Sequence, residues 1–219
     1  MLKRFILCAL LFFQSTAFAY EKQNDEFSCG AVSAYNLISE LCPECRNNDF
    51  NTIYKLLKTN QNGTTAYNIC NGLDKYFSKQ NINYNIYYYG IKKVRRYKNG
   101  TNINFDNVQK YISAGYTAIL NIGIYKKTGN YYTRQYGHYV NLVSLKDSEL
   151  KIFDPYDKEN EFSYWKTKLI KANLKNSNDN EKYEKAEEYF LVTTPVNYFK
   201  DDEYAVINGI ILVGLQKQL

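Results

Sequence analysis

The chain has 219 residues, enough to bury one substantial core and short for two, so it reads as a single domain. Hydrophobic residues make up 45%, the ordinary share for a globular protein, while 23 tyrosines and abundant asparagine and lysine read as nucleotide bias of an AT-rich genome. The formal charge of +6, lowered to +4 once Lys3 and Arg4 are set aside, is too mild to imply a nucleic-acid partner.

Residues 1–19 read as a secretory signal: Lys3 and Arg4 form the charged start, Phe5 to Phe13 the apolar run, and Ala17-Phe18-Ala19 the cleavage site, cut after Ala19. The apolar run is too short to span a bilayer, and Gln14, Ser15 and Thr16 end it. No later segment is long and apolar enough to cross one, so residues 20–219 are expected as one domain, secreted or periplasmic, without stable membrane insertion. Cys8 goes with the signal.

Next comes Gln23-Asn-Asp-Glu-Phe-Ser-Cys29-Gly30, with Val32, Tyr35, Ile38 and Leu41 at helical spacing behind it. Cys29 is therefore expected in the first turn of a helix, where unpaired N–H groups and the macrodipole favour a thiolate. Gln23 is close enough to fold back over that helix end. Pro43 stops the helix, and short helices follow through Ile53, Leu56 and Leu57, and through Ile69, Leu73, Tyr76 and Phe77, the latter capped by Thr64 or Thr65.

Residues 82–89 alternate as a strand. The basic run Lys92, Lys93, Arg95, Arg96, Lys98 reads as a solvated strand or loop face. A helix fits 105–114, ended by Gly115. Strands then fit 116–125, 137–145 and 150–154, with turn chemistry at 127–130 and a tight connection at 146–148. The charged stretch 171–188 reads as a long loop or exposed helix, and the last strands fall near 189–194 and 204–215. Helices first and an antiparallel sheet after them indicate an α+β fold. Two Asn-Gly-Thr runs, at Asn62 and Asn99, read as turns.

His138, the only histidine, begins the second strand of a tight hairpin, and Asp154 ends the third. Paired strands lie about 4.8 Å apart, so their end residues can hydrogen-bond. Pro155 fixes Asp154 in an extended conformation at the strand end. There it can hold an imidazole nitrogen and select its tautomer. A thiol, an imidazole and a carboxylate are the parts of an activated nucleophile.

Gln23-x5-Cys29-Gly30, Gly137-His138-Tyr139-Val140 and Phe153-Asp154-Pro155-Tyr156 together resemble the papain-like cysteine peptidases. The nearest branch is that of the bacteriocin-processing, double-glycine peptidases and their stand-alone relatives. The resemblance extends loosely over residues 20–160. It departs where that family has Gly-Pro or Gly-small-small after the cysteine, since Ala31-Val32 follow Gly30 here. It implies a papain-like fold, with the nucleophile at a helix N-terminus packed on a sheet that carries His and Asp. By position, Cys29 would be the nucleophile, His138 the general base and acid, Asp154 its orienter, and Gln23 with the Cys29 N–H the oxyanion hole. The implied function is an exported cysteine peptidase acting on a peptide or protein, with no cofactor and no metal. Acyl transfer at the same site, or a catalytically silent binding module, are the alternatives.

Three further cysteines remain. Cys42-x-x-Cys45 follows a helix, whereas thioredoxin-like redox pairs begin one. A zinc site of Cys42, Cys45, Cys70 and His138 would leave Gln23, Cys29 and Asp154 unexplained. In an exported protein the expectation is a disulfide between Cys70 and either Cys42 or Cys45.

Overall fold

Apolar residues at helical spacing form α1 (Cys29–Leu41), whose Ala31, Ala34, Leu37 and Ile38 are buried. Cys42 caps it, donating its N–H to the Ile38 carbonyl, and a 3-10 turn over Pro43–Asn47 follows. Two more helices complete this layer: α2 (Phe50–Leu56), and α3 (Ala66–Lys79), capped by the Thr65 hydroxyl on the Asn68 N–H. The computed structural model describes residues 20–47, 50–129, 131–175, 183–196 and 199–216. The expected signal, residues 1–19, lies outside them. No helix among the described residues is long and apolar enough to cross a membrane.

The strands are β1 (Tyr84–Gly90), β2 (Lys98–Gly100), β3 (Thr117–Thr128), β4 (Tyr131–Lys146), β5 (Glu149–Phe153), β6 (Ser163–Lys175), β7 (Tyr183–Val192) and β8 (Glu203–Leu215). A fourth helix, α4 (Phe105–Ser113), precedes β3 and ends at Ala114–Gly115, where Gly115 takes the left-handed φ that its position requires. The sheet order is β2-β1-β8-β3-β4-β5-β6-β7. Most pairings are antiparallel, as expected, but β1–β2 and β4–β6 run parallel. The sheet also curls until β7 pairs with β8. One core lies between α1–α3 and the sheet, joined by Ile119, Ile211 and Val213 of the strands. A second lies on the other face, around Leu120, Ile122, Val140, Trp165 and Ile207, with Val108 of α4 packed into it.

Three expectations are corrected. The 171–188 stretch is no loop or helix where described: β6 and β7 pair from Thr167↔Val192 to Lys175↔Tyr183. Its charges sit in cross-strand register, as with Lys171 opposite Glu188, while Ala172 and Leu174 turn inward. Long-range pairing of this kind leaves little trace in local composition. Asn99 lies in β2 and accepts the Tyr88 N–H, so it is no turn residue, whereas Asn62-Gly63 does form one. The disulfide joins Cys42 to Cys45, whose Cα atoms the 3-10 turn holds 5.2 Å apart, inside the bonding range. Cys70 is a free thiol buried in the helical core.

Candidate active site

Cys29 opens α1, and its helix end is prepared by the chain before it. The Asp25 carboxylate accepts the N–H groups of Phe27 and Ser28 at 2.9 and 2.7 Å, turning the segment into the helix. Gly30 must be small, because a Cβ there would press within 3.1–3.3 Å of Thr64, Tyr139 and Ile69. The helix is pinned to β4 by two polar bridges inside an apolar interface. The Ser33 hydroxyl donates to the Tyr139 carbonyl at 3.2 Å, and the Asn141 amide donates to the Ser33 carbonyl at 2.9 Å. Both partners lie within three residues of His138, so these bridges fix the thiol relative to the imidazole.

His138 Nε2 lies 2.7 Å from an Asp154 carboxylate oxygen, with both residues buried. The same oxygen accepts the Tyr156 N–H at 2.8 Å, which holds the carboxylate against the ring. The Cys29 side chain is near enough to act electrostatically on His138. With Nε2 committed to Asp154, Nδ1 is the ring nitrogen left for sulfur. Burial alone would push the imidazole down. The Asp154 charge, its hydrogen bond and the Cys29 contact outweigh burial and carry His138 up to about 10.

Gln23 is buried and lines the same cleft as Cys29 and His138, a cavity of about 1200 Å³. One amide N–H donates to the Asp25 carbonyl at 2.6 Å, while its Oε1 is buried without a partner. Its backbone N–H donates to the Pro155 carbonyl at 2.9 Å, tying it to the Asp154 loop. Gln23, Cys29 and His138 therefore line one cleft, with Asp154 buried behind the His138 ring.

Sequence reasoning missed the strap that holds them. The Lys22 ammonium donates to the carbonyls of Asp154 (3.2 Å), Asp157 and Asn160 (2.7 Å) and stands 4.3 Å from the Phe153 ring centroid. Tyr20 stacks on Phe153 with centroids 4.6 Å apart and donates its hydroxyl to Glu40 at 2.9 Å. Adjacency to Gln23 was the one available signal for Lys22. The basic run lies on a solvated loop segment, as expected, and its Lys92, Lys93 and Arg95 also line the cleft, as does Arg134. The zinc arrangement does not form. His138 is engaged with Asp154, and the one metal-competent group among the described residues is Cys42, Glu44 and Cys45, whose two sulfurs are bonded to each other.

Comparison with known proteins adds a lineage. A search of curated proteins finds no match. Among solved structures, the peptidase domain of Streptococcus ComA, a bi-functional ABC transporter involved in a quorum-sensing pathway, superposes with a TM-score of 0.48 and 14% identity. That alignment covers 91% of this chain and 99% of that one. The model of the Peptidase_C39 like family matches residues 15–191, a span that contains Gln23, Cys29, His138 and Asp154. The chain thus belongs to the peptidase C39-like family and is a cysteine peptidase of papain-like α+β fold.

Proposed function

We propose that the chain is an exported peptidase that hydrolyses amide bonds through Cys29, His138 and Asp154, with Gln23 in the oxyanion hole. The observation that carries this reading is that Cys29 and His138 line one open cleft, with the His138 ring hydrogen-bonded to the buried Asp154 carboxylate behind it. The Cys29 thiolate attacks the substrate carbonyl carbon, forming the C–S bond and moving the π electrons onto oxygen. The free N–H of the Gln23 amide and the Cys29 backbone N–H, unpaired at the helix start, receive that oxyanion. The His138 imidazolium protonates the leaving amine as the C–N bond breaks, which releases the first product. His138, now neutral, takes a proton from water, and the resulting hydroxide displaces sulfur to release the acid. Asp154 holds the ring in the tautomer this needs and stays ionised throughout.

Export rests on residues 1–19, and a cut after Ala19 would make Tyr20, stacked on Phe153, the mature N-terminus. Residues 20–219 then act as one peptidase domain. The test is incubation of mature protein with a pool of denatured polypeptides, with new termini read by mass spectrometry, beside labelling by a peptide-derived thiol electrophile. Wild type should generate new termini and be labelled at Cys29. Cys29→Ala should lose both, with turnover down by at least about 10³-fold. Full turnover by Cys29→Ala, or a reduced Cys29 that neither labels nor cleaves, overturns the assignment.

A further inference from the structure

The cleft beside Cys29 carries an excess of one charge, and the fold has gone to some length to hold it there. Lys92, Lys93, Arg95 and Arg134 line it, against a single lining carboxylate among the described residues, Glu26. The first three sit on the segment after β1, whose start is tied to the sheet. The Ile91 N–H donates to the Asn208 carbonyl at 2.9 Å, and the Lys92 N–H donates to the buried Tyr88 hydroxyl at 3.1 Å. Val94 and Tyr97, both buried, flank Arg95 and Arg96, and Arg95 holds a left-handed φ of 53°, uncommon for a non-glycine residue. Its guanidinium lies 5.0 Å from the centroid of Tyr67, another cleft residue.

Arg134 reaches the cleft by a different device. A bulge in the β3–β4 ladder leaves Gln135 without a partner, and Arg134 folds back along its own strand, donating Nε–H to the Tyr136 carbonyl at 3.3 Å. Its guanidinium rests against Gly137, the residue before His138, where a Cβ would collide with Nη2. Its charge also acts on Tyr139, which adjoins Cys29.

Arg96, next to Arg95, is paired with Asp74, and Lys126 pairs with Asp202 at 2.7 Å. Lys93, Arg95 and Arg134 have no carboxylate within 4.0 Å among the described residues. Immobilised arginines on two walls of one cleft, with carboxylates absent from their reach, match a ligand that brings its own carboxylates. We infer that the cleft selects acidic peptides, with Asp or Glu side chains flanking the scissile bond held by Lys93, Arg95 and Arg134. This rests on the peptidase reading above and names its substrate class.

Two measurements independent of turnover test it. The first compares alkylation of Cys29 by anionic iodoacetate and neutral iodoacetamide. A cationic cleft raises the iodoacetate:iodoacetamide rate ratio above that of a free model thiol. Neutralising one charge about 8 Å away should lower the ratio roughly threefold. Arg134→Gln and Arg95→Gln should therefore each lower it. The effect should shrink between about 0.01 M and about 0.15 M salt, as the Debye length falls from about 30 to about 8 Å. The second uses Cys29→Ala protein to capture two randomised decapeptide pools, one with Asp and Glu at alternate positions and one with Asn and Gln there. The acidic pool should be retained roughly tenfold better, and Lys93→Gln/Arg95→Gln/Arg134→Gln should abolish the difference.

An unchanged alkylation ratio in the arginine variants, or equal retention of the two pools (including no retention of either), overturns the inference. A single-stranded oligonucleotide that competes away the acidic pool at equal charge concentration overturns it too, because the cleft would then read charge and not peptide. If the wild type cleaves neutral peptides as fast as acidic ones, the peptidase reading stands and this one falls. If it cleaves nothing while acidic peptides bind, the peptidase reading falls and only the preference of the cleft for acidic peptides stands. Exposed Lys93 and Arg95 can lose their charge without loss of core, and the thermal midpoint of each variant checks that it folds.

Discussion

His138 holds its proton in a setting that should strip it. A buried imidazole favours the neutral form, yet the Asp154 carboxylate at 2.7 Å and the Cys29 contact carry it up to about 10. The folded value lies above the ordinary 6.5, so the stabilisation is fully present below about 6.5 and is lost as pH rises through about 10. Asp154→Asn removes the charge that lifts the ring. The alkaline limb of the kcat/KM profile should move to lower pH, and kcat/KM near neutrality should fall by about 10²–10⁴-fold. In urea titrations the wild-type advantage in stability should be greatest below pH 6.5 and vanish toward pH 10. An alkaline limb that stays in place in Asp154→Asn would show that Asp154 does not set this proton. This much was legible: a single histidine, an Asp-Pro at a strand end and a cysteine opening a helical pattern can be read along the chain. Arg134 and Lys22 could not, because the task of a basic side chain depends on what folding brings opposite it.

At the scale of elements, Cys29 and the residues proposed to act with it belong to different layers, and polar ties carry the alignment between them. Ser33, Tyr139 and Asn141 tie α1 to β4, while the segment at Lys22 and Gln23 crosses to the loop after β5. Lys22 meets three carbonyls of that loop, so its loss leaves two partly buried acceptors and an exposed one without their donor, at about 1–3 kcal/mol. Lys22→Met should lower kcat about tenfold with little change in KM, since it loosens Gln23 and Asp154 without touching substrate. Amide exchange over residues 155–160 should quicken in the same variant, and Lys22→Arg should recover part of kcat. A rise in KM at constant kcat would instead mark Lys22 as a binding residue. The helices and most strands were legible from apolar periodicity and from Gly, Pro and Thr at their ends. The β6–β7 hairpin was not, because its outward charges mask the alternation and its partners lie up to 25 residues apart, as with Thr167 and Val192.

For the whole molecule the question is whether the helical layer and the curled sheet form one cooperative unit, because the site straddles their seam. Ile119, Ile211 and Val213 of the sheet belong to the same buried cluster as α1 and α3, and the Ser33 and Asn141 bridges cross the same boundary. Separating the layers would expose that cluster and leave buried donors and acceptors unpaired, so opening only one layer should cost nearly as much as unfolding both. Cys70 reports on this directly: it is a free thiol on α3 with no exposed surface, and burial pushes its ionisation up. Native protein treated with iodoacetamide should be labelled at Cys29, which borders the cleft, while Cys70 stays unmodified until the chain unfolds. Across increasing urea, the opening free energy from Cys70 labelling should equal that from far-ultraviolet circular dichroism of the sheet, with the same dependence on denaturant. Cys70 labelling at a lower free energy and with a shallower slope, while the sheet signal is intact, would mean that α1–α3 open as a separate unit. The seam carrying Cys29 and His138 would then be a mobile joint, and not the fixed junction that these contacts describe.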